Sequence, residues 1–134
     1  MKYQITKKNI LEFVGFKKSK RRYKHLKDAK ILIDNIEYTI PKGFEFDGWS
    51  IPFLIDMFFD LVRDVIPSAW HDWFYANAGL YPKITRRIAD SLLKQIALDR
   101  GCQKREVYIA YYTVRIFSGG IWKRYKRKNL KNDS

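Results

Sequence analysis

The sequence predicts an α+β fold: an N-terminal β-hairpin or small antiparallel sheet packed against a C-terminal bundle of about four helices. Three observations point there. Over the first forty or so positions apolar residues come in short runs bounded by turn formers. From about residue 52 they recur at three- and four-residue intervals. Hydrophobic residues make up 46% of the 134 positions and aromatics 16%, enough to close a core in a chain of single-domain size. The expected organisation is one α+β domain over residues 1–122 and a basic tail over 123–134.

The clearest β element is a hairpin. Ile31, Leu32 and Ile33, then Ile36, Tyr38 and Ile40, flank Asp34-Asn35, a pair that tolerates positive φ in a two-residue turn. Pro41 ends it. Tyr3 to Ile5 and Ile10 to Val14 are further strand candidates. In the helical part, residues 52–64 set Phe53, Met57, Leu61 and Val65 at helical spacing and Asp56, Asp60 and Asp64 on the opposite, solvated face. Pro67-Ser68 opens a second helix that runs to about Asn77, and a turn spans Gly79 to Pro82. A third helix covers 83–99 and stops at Gly101. A fourth covers 104–118, with Val107, Ala110, Tyr111, Val114 and Phe117 on one face, and Gly119-Gly120 breaks or kinks it.

Composition narrows the function classes. The only cysteine, Cys102, rules out a disulfide framework within the chain and fits a reducing cytoplasm. No run approaches the roughly 18 apolar residues that span a bilayer, and Lys7, Lys8, Asn9 and Glu12 interrupt any leader-like stretch. The net charge is +13, and it is concentrated. Residues 17–27 and 123–131 carry the whole excess of Lys and Arg and no acid, while the rest is balanced. Such patches attract nucleic acid or another anionic partner. Tyr23, Trp122 and Tyr125 lie in or beside them and are candidates for stacking on bases.

One polar constellation can carry chemistry. If residues 68–100 form a helical hairpin turning near residue 80, His71 and Tyr75 share a face, as do Arg86 and Asp90. The hairpin then sets His71 against Asp90 and Tyr75 against Arg86, with Asp72 on the flank. Upstream, Asp47 and Ser50 sit in a DGWSIP loop, where Ser50 can cap the helix that Pro52 begins. Two readings stand. The cluster is a satisfied buried network that fixes register, or it is a hydrolytic site for a phosphoester or amide bond. In the second reading His71 is the base, Asp72, Asp90 and Asp47 are orienting carboxylates, Ser50 is a nucleophile and Arg86 an anion clamp.

The order of motifs resembles domain of unknown function family 1353. It comprises PKGFxFDGxSIP at 41–52, HDWxY at 71–75, RxxAD at 86–90, VR at 114–115 and GxxW at 119–122. The resemblance covers about residues 30–122. Its motif positions fall on Asp47, Ser50, Pro52, His71, Asp72, Tyr75, Arg86 and Asp90. It implies a phage or prophage protein, in the host cytoplasm or the virion, and supplies no activity. His71-Asp72 with a later Asp90 also resembles the pattern of HD-type metal-dependent phosphohydrolases, which implies a divalent metal on His71, Asp72 and Asp90. The alternative is a non-enzymatic accessory or structural protein that binds nucleic acid or a host factor through its basic patches.

Overall fold

In a computed structural model, residues 1–17, 20–46 and 64–133 are described. They fall into two compact units, Met1–Gly48 and Trp49–Ser134. The first is built of strands and the second of helices, so the chain is α+β.

The first unit holds β1 (Tyr3–Lys7), β2 (Leu11–Lys17), β3 (Lys20–His25), β4 (Ala29–Ile33), β5 (Ile36–Ile40) and β6 (Glu45–Phe46). They form two antiparallel three-stranded sheets, β1-β4-β5 and β2-β3-β6. The expected hairpin is β4–β5. Asp34 and Asn35 take φ of 48° and 68°, as a tight hairpin turn demands. The Asp34 carboxylate also accepts the backbone N–H of Lys2 at 2.8 Å, which ties the turn to the start of β1. Side chains alternate as a pleat requires: Ala29, Ile31, Ile33, Tyr38 and Ile40 are buried.

Besides the two-residue β6, β3 is the element that apolar patterning did not predict. Its sequence, KRRYKH, has cations at most positions, and only Tyr23 and His25 alternate toward an interior. His25 is nevertheless fully buried. With the proton on Nδ1 it donates to the Phe44 carbonyl at 3.2 Å and accepts from Asn9 Nδ2 on Nε2 at 3.0 Å. Burial pushes its pKa below the usual histidine value, more than the Phe44 carbonyl restores, so the neutral ring is favoured.

The second unit holds α1 (Ile66–Ala76), α2 (Arg86–Asp99), α3 (Lys104–Phe117) and α4 (Gly119–Asp133). The helix expected over 52–64 lies outside the described residues except for Asp64. That carboxylate accepts from the Ile66 backbone N–H at 3.0 Å and pairs with Arg100, so it works at a helix start rather than in a solvated stripe. Pro67 occupies the first turn of α1, where its missing N–H costs nothing. The Thr85 hydroxyl caps α2 by accepting from Ile88 N at 3.2 Å, and Gly101, at φ 85°, follows its end.

α2 packs on α1 and on α3, and α4 packs on α1 and α3. Trp70, Phe74, Leu92, Leu93, Ile96, Val107 and Val114 fill the interior between them. On α3 the inward stripe is Val107, Ala110 and Val114, and Phe117, expected on it, is exposed. The segment expected as a tail continues as α4. No helix among the described residues is long and apolar enough to cross a membrane.

Candidate functional site

The helical hairpin of α1 and α2 brings His71, Tyr75, Arg86 and Asp90 together. Asp90 is the centre, and none of its surface reaches solvent. His71 Nε2 lies 2.7 Å from its Oδ1, and the Tyr75 hydroxyl donates to the same oxygen at 2.7 Å. Arg115 Nη1 donates to Oδ2 at 2.8 Å, and Arg86 Nε stands 3.7 Å from Oδ2, one helical turn before it. Both carboxylate oxygens are thus each faced by two groups. The imidazole is 1% exposed, and the Tyr75 ring lies against it at 4.2 Å between centroids. The Trp122 ring, from α4, meets the Tyr75 ring edge-to-face with 5.1 Å between centroids.

Electrostatics follow from that crowding. Burial raises the Asp90 pKa, but hydrogen bonds from His71, Tyr75 and Arg115, with the charge of His71, outweigh it and hold the carboxyl below its ordinary value. The Tyr75 phenol moves the other way. Burial first, then the neighbouring Asp90 charge, pushes its pKa up, so it stays a donor. Hydrogen bonding to Asp90 also raises the pKa of Arg115.

Arg86 does a second job. Its guanidinium donates to the backbone carbonyls of Val114, at 3.4 Å, and Arg115 in the last turn of α3. The Val114 carbonyl also accepts from the Ser118 backbone N–H at 3.0 Å, and both carbonyls sit at the negative end of the helix dipole, where a cation is favoured. One aspartate and one arginine therefore join three helices, and Trp122 adds the fourth. Removing only the hydroxyl in Tyr75→Phe should cost about 1 kcal/mol. A thermal melt should show it as a drop of about 4–8 °C in Tm for a unit of this size.

The expected pairing of His71 with Asp90 is therefore met, while Tyr75 and Arg86, expected to face each other, both face Asp90. Asp72 is half-buried on α1 and takes no part in the hydrogen bonds around Asp90 described above. Asp47, Ser50 and Pro52 lie outside the described residues. The metal set His71, Asp72 and Asp90 is not assembled: among the described residues no three His, Cys, Asp or Glu side chains are placed to hold an ion. The physical reason is that His71 Nε2 is directed at Asp90 and both Asp90 oxygens face protein donors. Arg115 was missed as a site residue. A rule that mirrors one helix onto another cannot place a third, although the VR motif carried the signal.

Residues 24–114 match the model of the family described as Protein of unknown function (DUF1353). No curated protein and no solved structure matches the chain.

Proposed function

The chain belongs to the DUF1353 family, and we propose that it is a nucleic-acid-binding protein without catalytic function. In this reading the Asp90 cluster is framework and the outer face of α4 is the contact surface. The observation that carries the proposal is the placement of the second basic patch. Trp122 is buried, the Asn129 amide donates to the carbonyls of Ala76 and Ala78 at 2.9 and 3.0 Å, and the Lys126 stem lies against Gly79. These three fix one side of the helix to the end of α1. The opposite side then carries Lys123, Arg124, Arg127 and Lys128, all exposed.

An ordered row of cations meets phosphates at lower entropic cost than a flexible tail does, and displaces condensed counterions from them. Burial of the cluster supports the same division of labour. A general base must come within hydrogen-bond reach of a substrate proton, and His71 is sealed and engaged with Asp90. This disfavours a hydrolase built on it.

The test is a fluorescence-anisotropy titration of end-labelled DNA across a salt series. It compares the intact protein with a variant in which Lys123, Arg124, Arg127 and Lys128 are all glutamine. Each phosphate contact contributes about −0.9 to the slope of log K against log salt on duplex DNA. The variant should therefore show a slope shallower by about 3–4 and much weaker binding at low salt. Equal slopes for the two proteins would remove α4 from the contact surface. Absence of binding by the intact protein at low salt would overturn the reading.

A further inference from the structure

We infer a second contact site, at the β2–β3 hairpin: Phe13 and Phe16 form a platform on which unpaired bases of a single-stranded nucleic acid stack. The inference rests on the nucleic-acid reading and extends it to a surface that α4 does not include.

The platform is made by a bulge. In a regular strand, residues three apart point to opposite faces. Between Phe13 and Gly15 the β2–β3 register shifts by a residue, and Gly15 adopts φ 105°, which a side chain would resist. The extra residue returns Phe16 to the face that Phe13 occupies. The two rings meet edge-to-face at 5.3 Å and 80°. From there a ladder of rings runs inward: Phe13 to Tyr23 at 5.7 Å, Tyr23 to Phe46 at 5.7 Å, and Phe46 to the buried His25 at 5.8 Å. The inner end is anchored in the unit's core, whereas Phe13 is 49% exposed and Phe16 66%.

Charge selects the occupant. Arg21 stands directly across from Phe16 in the ladder and so shares the platform's face, while Arg22 and Lys24 alternate to the other face of the same basic strand. Of these, Arg22 is paired with Glu45. A second copy of this chain would bring the same basic strand to the contact, and an apolar protein surface brings no charge of the opposite sign. A single strand supplies both complements at once, a flat π-face for each ring and a phosphate backbone for the cations. A duplex supplies only the second, because its bases are already stacked. Stacking of this kind is sequence-tolerant, since every base has a π-face. Trp122, expected from the sequence to stack, cannot serve, because it is 9% exposed and packed on Tyr75.

The experiment titrates the full chain, and its Phe13→Ala/Phe16→Ala variant, against end-labelled oligodeoxythymidine and against a duplex of the same length. Loss of two stacking rings should weaken single-strand binding by about 10- to 100-fold and leave duplex binding within about twofold. A Phe16→Trp variant, which keeps a π-face, should hold single-strand affinity and guards against a mere loss of folding in the double variant. Unchanged single-strand affinity in the double variant, or equal losses on both probes, overturns the inference while leaving the α4 reading intact. Failure of the intact protein to bind either probe overturns both.

Discussion

Asp90→Ala should lower the stability of the helical unit by about 3–5 kcal/mol, the range seen when one partner of a buried ion pair is removed. In a melt this is a drop of about 12 °C or more in Tm. Four side chains lose their shared acceptor at once. Arg86 and Arg115 are partly exposed and can recover water, but His71 and the Tyr75 hydroxyl cannot. Arg86→Ala should approach the same loss, because it releases the carbonyl end of α3 as well as Asp90. The two changes should be strongly non-additive, since they cut one network.

The depressed Asp90 carboxyl gives this a pH dependence. A folded-state pKa below the unfolded value near 3.8 means that the stabilisation is complete above that value. It is lost as pH falls through the lower, folded value. Acid melts of the intact protein should therefore fall toward those of Asp90→Asn, which lacks the titrating group. A gap between them that persisted unchanged through that acid range would contradict the linkage.

Trp122→Ala should be comparably damaging, about 3–5 kcal/mol by the usual cost of truncating a buried tryptophan. Its effect should also be local. Like charges one turn apart, as at Lys123/Arg127, Arg124/Lys128 and Arg127/Lys131, repel along α4. A 15-residue helix of this kind is marginal alone, so its order depends on docking. Hydrogen exchange should find the amides of α4 unprotected in the variant while those of α2 remain protected at low temperature. Equal loss of protection in both helices would mean that α4 is an integral part of the cooperative unit and not a docked arm.

How far the sequence foretold this depended on whether local rules were enough. The β4–β5 hairpin was legible because Asp34-Asn35 sits between two apolar runs, and turn chemistry fixes register by itself. β3 was not, because its interior contacts are one tyrosine and one histidine inside a run of cations. The pairing of His71 with Asp90 followed from two four-residue spacings and a turn between them. Arg115 and Trp122 did not follow, since their places depend on how third and fourth helices return to the pair. Charge located the basic segment 123–131 but read it as a tail. What makes it a helix with a solvent face is the burial of Trp122 and the reach of Asn129 to Ala76 and Ala78.

The division between framework and contact surface is tested most directly by the DNA affinity of Asp90→Asn. It should be measured at a temperature where its far-UV circular dichroism equals that of the intact protein. If Asp90 only holds helices together, the variant melts lower yet binds within about twofold of the intact protein, because α4 and the hairpin keep their cations and rings. A fully folded Asp90→Asn protein with affinity reduced by about tenfold or more, some 1.4 kcal/mol, would place Asp90 in contact with the ligand and contradict the account.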